Sequence, residues 1–163
     1  MFLNKIKLFL VISICIIFFF LTYDDVKSDE IKIIDGDTIH INGEKIRFSG
    51  IDTPEIQQTC IKNSIIIYCG IEAKKLLNEI IGKKKINCIK EGKDRYKRTL
   101  AECFIDDLSL SSYLVKKGYA FAYRKYSKKF IEDEEYAKIN NLGMWSMEFE
   151  YPWNWRKKKL IFF

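Results

Sequence analysis

The stretch Arg47-Phe48-Ser49-Gly50-Ile51-Asp52-Thr53-Pro54-Glu55 carries the strongest structural information in the chain. It begins with the apolar and polar alternation of a strand, and it ends with two acidic residues three positions apart. Pro54 fixes its own φ angle and restricts Thr53 to extended conformations, so neither a continuing helix nor a central strand is expected there. The stretch therefore predicts a strand that runs into a stiff turn bearing two carboxylates.

Two further charged turns accompany this stretch. Asp35-Gly36-Asp37-Thr38 precedes it, and Asp94-Arg95-Tyr96-Lys97-Arg98 follows it. Hard divalent cations prefer oxygen ligands, and the guanidinium group matches the oxygens of a phosphate. Carboxylates and arginines in this combination are typical of metal-assisted phosphodiester hydrolysis.

The order and spacing of these motifs resemble the staphylococcal nuclease family. The matching pieces are Asp35 to Thr38, Arg47 with Asp52 to Glu55, Asp94 to Arg98, Gly118-Tyr119-Ala120 and Gly143-Met144-Trp145-Ser146. One acidic turn alone would be a weak signal, because turn aspartates are common. Several motifs in the same order, with arginine at both expected places, make the resemblance specific. It extends from about Ile31 to Ser146.

The resemblance implies a metal site. Asp37 and Asp52 would bind Ca²⁺, with the backbone carbonyl of Thr53 as a third contact. Taken singly, each aspartate is equally consistent with a turn cap or an exposed acid. The combination with Glu55 and two arginines is what favours the metal site.

The resemblance also implies the catalytic roles. Glu55 would act as a general base or orient the attacking water, since a carboxylate can be tuned by burial and by a nearby cation. Arg47 and Arg98 would hold the phosphate and stabilise the charge of the transition state. The ordinary alternatives are a solvated loop acid and arginines in weak surface ion pairs. Lys97 stands where the family usually has glycine, which leaves the conformation of the basic turn open.

Candidate substrate contacts lie in or near basic segments: Arg95, Tyr96, Tyr123 and Tyr126. Tyrosines there can stack on bases or hydrogen-bond a terminal phosphate. Tyr96 and Tyr123 match nucleotide-contacting tyrosines of the family, whereas Tyr126 does so only when the loop is aligned with a gap. The alternative for all three is packing in the core. Trp145, Trp153 and Trp155 are interpreted as packing residues for the C-terminal segment.

Four of the five cysteines follow the apolar leader, and an even number favours disulfides. Cys60 and Cys69 bracket one loop, and Cys88 and Cys103 lie symmetrically about the Arg95–Tyr96 bond. The predicted pairs are therefore Cys60–Cys69 and Cys88–Cys103. Four buried free thiols are the alternative. Zinc is disfavoured, because there is no Cys-x-x-Cys and His40 is the only histidine.

The N-terminal residues predict export. Lys5 and Lys7 precede an apolar run from Leu8 to Leu21, which is short for a bilayer span and typical of a signal peptide. We favour cleavage after Ser28 over retention as a membrane anchor. The expected organisation is a signal peptide or anchor over 1–28, a nuclease OB-fold domain over 29–146 and a basic, aromatic tail over 147–163. The expected location is periplasmic or secreted.

Patterning along the chain predicts an α+β fold, predominantly β. Strands are expected at 30–34, 38–41, 44–49, 85–91 and 99–105, and helices at 73–81, 110–115 and 130–141. Residues 55–69 are interpreted as an irregular loop. Three strands, a helix and two strands are the order of a five-stranded Greek-key OB-fold with about three helices. Closure into a barrel is what the resemblance implies.

The predicted function is a Ca²⁺-dependent nuclease that hydrolyses phosphodiester bonds of DNA or RNA with little sequence preference. By resemblance, its products would carry 3′-phosphates. A net charge of +6 fits a polyanionic partner, and the protein is expected to be a monomer that meets a membrane only through an uncleaved leader. A non-catalytic OB-fold that binds single-stranded nucleic acid is the main alternative. A membrane-tethered structural protein is the third.

Overall fold

The structure, a computed structural model, describes residues 29–161. The predicted leader over 1–28, including Cys15, lies outside the described residues. The strands are β1 (Ile31–Ile33), β2 (Thr38–Ile41), β3 (Glu44–Phe48), β4 (Ile51–Asp52), β5 (Cys60–Lys62), β6 (Ile65–Ile67), β7 (Asn87–Lys93), β8 (Thr99–Ile105), β9 (Leu108–Ser109) and β10 (Phe121–Ala122). The helices are α1 (Cys69–Ile81), α2 (Leu110–Lys116), α3 (Ile131–Ile139) and α4 (Pro152–Ile161), with a short 3₁₀ helix at Gly143–Ser146.

The main sheet has the strand order β1-β2-β3-β8-β7, and β9 pairs with β8. The hairpin of β2 and β3 turns at Asn42-Gly43, where both residues have positive φ angles of 51° and 83°. The strand β3 then pairs in parallel with β8, whereas all other pairs of this sheet are antiparallel. This is the strand order expected of the OB-fold. Among residues 29–161, no hydrogen-bonded ladder joins β1 to β7, so the sheet stays open. The predicted α+β class with β structure predominating is confirmed.

The hydrophobic core lies between this sheet and the helices α1 and α2. The predicted apolar stripe of α1 is correct, because Ala73, Leu77 and Ile81 are fully buried. Gly82 ends this helix with a positive φ angle of 51° and donates its backbone N–H to the carbonyl of Asn78. The other large buried side chains of the core include Ile39, Phe48, Ile51, Leu110 and Leu114. The helix α1 thereby supports the sheet beneath the turn at Asp52.

The segment 55–69 differs from the irregular loop expected from its sequence. Its centre is a hairpin of β5 and β6, with Ile61 opposite Ile66. The turn is made by Asn63 and Ser64, which have φ angles of 50° and 63°. Positive φ angles at both positions suit a two-residue hairpin, but the glycine that usually marks such a turn is absent.

The structure contains both predicted disulfides. Cys60–Cys69 joins the start of β5 to the start of α1, and Cys88–Cys103 joins directly opposed residues of β7 and β8. The register of the second pair places the two cysteines opposite each other, as their symmetric positions about the basic turn suggest.

Replacing Cys88 and Cys103 together by alanine should lower the free energy of unfolding by about 3 kcal/mol, because the bridge constrains the unfolded chain. Urea denaturation of the variant and of the oxidised parent measures this difference. The matched comparison is the variant in which Cys60 and Cys69 are both replaced by alanine. Its free energy of unfolding should fall by a similar or smaller amount, because the Cys60–Cys69 disulfide closes the shorter loop. Four free thiols in oxidised protein, mapped by mass spectrometry, would contradict both pairs.

The segment expected as a C-terminal tail packs against the domain as far as it is described. Glu148 forms an antiparallel bridge to Ile61, and Pro152 begins α4 at a position that suits proline. A second core cluster, distinct from the main one, surrounds the buried Phe121 and includes Trp145, Phe149, Tyr151 and Trp153. The packing role predicted for Trp145 and Trp153 agrees with these contacts. Within residues 29–161, no helix combines the length and apolar character needed to cross a bilayer.

Candidate active site

The two predicted metal ligands, Asp37 and Asp52, are brought together by strand pairing. The backbone N–H of Phe48 donates to the carbonyl of Asp37 at 2.8 Å, which holds the first acidic turn beside the end of β3. Asp52 lies in β4 opposite Phe121 of β10. Both aspartate side chains are buried.

Arg47 connects the two aspartates. Its Nη1 donates to Asp37 Oδ1 at 2.5 Å, and its Nη2 donates to Asp52 Oδ1 at 2.8 Å. The alternation along β3 sends Ile46 and Phe48 into the core and Arg47 to the opposite face, as the sequence predicts. Arg47 is nevertheless mostly buried, so its ion pairs are not the weak surface pairs that were the alternative for this residue.

Burial makes the ionised carboxylates of this site costly. Burial raises the pKa of Asp37 to about 6, although Arg47 opposes this shift and Asp35 adds to it. Burial also raises the pKa of Asp52, where a hydrogen bond from Arg156 opposes the shift and the charge of Asp37 adds to it. The four carboxylates of Asp35, Asp37, Asp52 and Glu55 outnumber the guanidinium groups of Arg47 and Arg156 that contact the site, which favours a bound cation.

The same pocket contains the remaining predicted ligand and the predicted base. Asp35, Asp37, Arg47, Asp52, Thr53, Pro54 and Glu55 line it. Several carboxylates around one small pocket are the donor set that a hard divalent cation prefers, so the residues fit Ca²⁺ in kind. In residues 29–161, however, no group of three or more His, Cys, Asp or Glu side chains is already arranged around a metal position. Arg47 and Arg156 donate hydrogen bonds to the carboxylate oxygens of Asp37, Asp52 and Glu55.

Glu55 lies at the rim of the pocket, with a side chain that is 42% exposed. Its position is set by α1, because Gly70 packs directly against the Glu55 carbonyl and a Cβ there would come within 1.8 Å of that oxygen. The buried Gln58 fixes the same turn from the other side. It receives a hydrogen bond from the Glu55 backbone N–H and donates its Nε2 to the carbonyl of Glu150 at 2.6 Å.

Arg156 is the site residue that sequence reasoning missed. Its Nη2 donates to Asp52 Oδ2 at 2.6 Å, and its Nη1 donates to Asp52 Oδ1 at 3.2 Å and to Glu55 Oε1 at 2.9 Å. It lies on α4, in the segment interpreted from sequence as a tail. The only sequence signal was the basic run Arg156 to Lys159, which is also consistent with a solvated tail.

The predicted catalytic Arg98 is not among the residues that line the pocket. Its Nε donates to Asp94 Oδ2 at 2.7 Å, and the backbone N–H groups of Tyr96 and Arg98 both donate to Asp94 Oδ1 at 2.9 Å. The guanidinium groups of Arg95 and Arg98 lie 4.9 Å and 5.5 Å from the centroid of the Tyr96 ring, which is 66% exposed. The basic turn thus forms an accessible cluster of its own, held together by Asp94.

Lys97 adopts the left-handed conformation that glycine would favour, with a φ angle of 62°. Lys97→Gly should therefore raise the free energy of unfolding by up to about 1 kcal/mol, since relief of the strain exceeds the entropy that glycine adds to the unfolded chain. Urea denaturation is the measurement, with Lys97→Ala as the matched control that removes the charge but keeps Cβ. Equal stabilisation by both variants would mean that charge, not backbone conformation, is responsible.

Tyr123 and Tyr126 lie together at the edge of the second core cluster. The Tyr123 ring stacks on Trp153 at 5.9 Å with an interplanar angle of 4°, and it contacts Tyr126 edge-on at 4.8 Å. Tyr126 is 70% exposed, whereas Tyr123 is half-buried. Tyr123 is therefore partly a packing residue, and Tyr126 is the more accessible of the two rings.

Comparison with known proteins agrees with this geometry. Residues 45–147 match the family model described as staphylococcal nuclease homologue. The chain is 31% identical to an uncharacterized endonuclease of Haemophilus influenzae over 80% of its own length and 73% of the relative's. It is 35% identical to the endonuclease YncB of Bacillus subtilis, over 71% of this chain and 59% of that one. It is 29% identical to a probable staphylococcal-like nuclease, CAN3, of Oryza sativa, of which it spans only 28%. By the family match and by its likeness to the Haemophilus protein, the chain belongs to the staphylococcal nuclease family.

Proposed function

We propose that this chain is a Ca²⁺-dependent nuclease that hydrolyses phosphodiester bonds of DNA or RNA with little sequence preference. The observation that carries the proposal is the pocket in which Asp37, Arg47, Asp52 and Glu55 converge. Membership of a family whose relatives include proteins named endonucleases supports nuclease activity for this chain. Calcium dependence rests on the carboxylate donor set and on the family resemblance.

In this proposal, Asp37 and Asp52 would hold the cation, and the backbone carbonyl of Thr53 would add a third oxygen. A cation held there would supply Lewis-acid chemistry, which makes phosphorus more electrophilic and offsets charge on the phosphate oxygens. Arg47 lies between the two aspartates, which supports a role for its guanidinium in binding a phosphate oxygen at the same pocket. The site therefore offers positive charge where the transition state gains negative charge.

Glu55 accepts the proton of the attacking water or orients that water. Its partial exposure and rim position allow water to reach its carboxylate. Departure of the 5′-oxygen, as the family resemblance implies, would leave a 3′-phosphate. The Arg95–Tyr96–Arg98 cluster, with Tyr123 and Tyr126, would bind the nucleic acid on either side of the scissile bond.

Export and a monomeric state belong to the same proposal. Two disulfides among the described cysteines suit an oxidising compartment, which supports a periplasmic or secreted protein. The leader would deliver the protein there and would be cleaved near Ser28.

The proposed function is tested with purified protein and 5′-labelled oligonucleotides of DNA and RNA, single- and double-stranded. We expect cutting with added Ca²⁺, none in excess chelator, and products whose mobility changes after enzymatic removal of a 3′-phosphate. Full activity in chelator would exclude the metal site. Binding without cutting under every condition would favour the non-catalytic OB-fold module instead.

A further inference from the structure

Arg156 brings a guanidinium to the pocket from outside the family match, which ends at residue 147. Its side chain is 35% exposed, yet it holds the carboxylate of Asp52, whose side chain is 1% exposed. The contact joins residues 104 positions apart. One face of this guanidinium thus touches the buried site, while part of the group remains open to solvent.

The helix α4 has attachments to the domain other than Arg156. The ring of Trp153 stacks on that of Tyr123, and its centroid lies 4.7 Å from the centroid of the Tyr151 ring with the two rings nearly parallel. Gln58 fixes the preceding chain through the carbonyl of Glu150. Trp153 and Arg156 are three residues apart, so they lie on the same side of the helix. A well-anchored helix therefore presents one charged group to Asp52 and Glu55.

Arg47 is the guanidinium that lines the pocket among the described residues. Neither Arg98 nor Arg156 belongs to the lining, but Arg98 donates to Asp94, whereas Arg156 donates to two carboxylates that do line the pocket, Asp52 and Glu55. Against these stand the carboxylates of Asp35, Asp37, Asp52 and Glu55 around the pocket. A phosphodiester that enters this site needs more positive charge than Arg47 alone supplies. Arg156 is the described residue whose contacts place it to supply that charge.

We propose that Arg156 is a substrate-binding residue whose guanidinium binds a backbone phosphate of the nucleic acid beside Asp52 and Glu55. Without substrate, it pairs with those two carboxylates. A phosphate offers the same two-oxygen geometry that the fork of Arg156 now finds on Asp52. This inference rests on the proposed nuclease function and adds a specific contact to it.

The test measures binding of a short fluorescent thymidine oligonucleotide in chelator at low salt, so that no cutting occurs. Arg156→Ala should weaken binding by about tenfold or more relative to the parent, because a charge-assisted contact is lost. Lys157→Ala is the matched control, since Lys157 is exposed on the same helix; it should change affinity by less than threefold. Arg156→Lys keeps the charge without the fork and should bind with intermediate affinity.

Oligonucleotides with one neutral methylphosphonate linkage separate direct contact from general charge. At the linkage that Arg156 binds, the methylphosphonate should lower the affinity of the parent about as much as Arg156→Ala does. It should not lower the affinity of the Arg156→Ala variant further. An equal loss for parent and variant at every linkage would overturn the inference. An Arg156→Ala variant that binds with the affinity of Lys157→Ala would also overturn the inference. A variant that cuts faster than the parent would overturn it as well, because Arg156 would then inhibit the site.

The two proposals fail in different ways. If the parent cuts nucleic acid with Ca²⁺ while Arg156→Ala matches the Lys157→Ala control in binding and in KM, only the role of Arg156 is wrong. If the parent neither cuts nor binds nucleic acid, the nuclease function itself is wrong. Near-ultraviolet circular dichroism of each variant verifies that the fold is retained, and Arg156→Lys provides the comparison should Arg156→Ala be poorly folded.

Discussion

Replacing Glu55 by glutamine is expected to lower turnover by about a hundredfold or more, with little change in affinity for nucleic acid. Glutamine keeps the size of the side chain and can still accept the hydrogen bond that Arg156 now donates to Oε1 at 2.9 Å. What it loses is the basic carboxylate that would act on the attacking water. Single-turnover cutting rates and oligonucleotide binding, measured separately, give the two quantities.

The matched control is Glu150→Gln. Glu150 lies just before α4, the helix that carries Arg156, and pairs with Lys158 at 2.7 Å. It does not line the pocket. We expect its cutting rate to stay near that of the parent. A Glu55→Gln variant that cuts as fast as Glu150→Gln would remove Glu55 from the mechanism.

Asp37→Asn should change both the pH dependence of stability and the function. The pKa of Asp37 is raised by burial to about 6, above the ordinary value of 3.8, so the folded protein binds a proton more tightly than the unfolded chain does. Stability is then lost as pH rises from about 4 to above 6, because the buried carboxylate must ionise. Asparagine does not ionise, so between pH 4 and pH 8 the stability of metal-free Asp37→Asn should fall less than that of the parent, by about 1–3 kcal/mol. The comparison is between the two pH dependences, because the amide has one acceptor oxygen where Asp37 offers two, to Arg47 and to the backbone N–H of Thr53.

The same variant should lose the response to calcium. Ca²⁺ should raise the Tm of the parent, because a ligand that binds only the folded state stabilises it, and it should not raise the Tm of Asp37→Asn. Cutting should be nearly abolished. A variant whose stability falls between pH 4 and pH 8 as much as that of the parent, or one with an undiminished calcium-dependent shift in Tm, would contradict the role given to Asp37.

Asp94→Asn provides a control of opposite sign. Burial raises the pKa of Asp94, but hydrogen bonds from Arg98 and Tyr96 outweigh burial and leave the pKa below its ordinary value. The ionised carboxylate therefore stabilises the fold above its unfolded pKa, and this stabilisation is lost as pH falls through the lower folded value. As pH rises from below 4 to neutral, Asp94→Asn should therefore lose stability relative to the parent, whereas Asp37→Asn should gain stability relative to the parent.

Local signals made much of the fold and half of the site predictable. Asn42-Gly43 specifies a two-residue hairpin by its positive φ angles, and this hairpin fixes the register of β2 and β3. The alternation along β3 then places Arg47 on the face away from the core. Pro54 follows the short strand β4, which ends at Asp52, and so begins the turn that carries Glu55. Each of these inferences depends on residues close together in sequence.

Other features depend on which partner a side chain binds, or on contacts between residues distant in sequence, and hydrophobic patterning reveals neither. Arg98 is held by Asp94, four residues before it, so its position in the motif did not indicate where its guanidinium points. Arg156 reaches Asp52 from α4, and the stacking of Trp153 on Tyr123 helps to position that helix. The turn at Asn63-Ser64 lacks glycine and so gave no hairpin signal. Tyr123 is half-buried because its ring stacks on Trp153, a tertiary contact that the sequence pattern does not reveal.

The central claim is that this pocket cuts nucleic acid, and opening of circular single-stranded DNA tests it most directly, because a circle offers no ends to contaminating exonucleases. The parent and Asp52→Asn are purified in parallel and incubated with Ca²⁺ or with excess chelator. We predict that the parent with Ca²⁺ linearises the circle, and that neither the parent in chelator nor the variant does so. An Asp52→Asn variant that opens the circle at the parent's rate, or a folded parent that leaves it intact with Ca²⁺, would contradict the account.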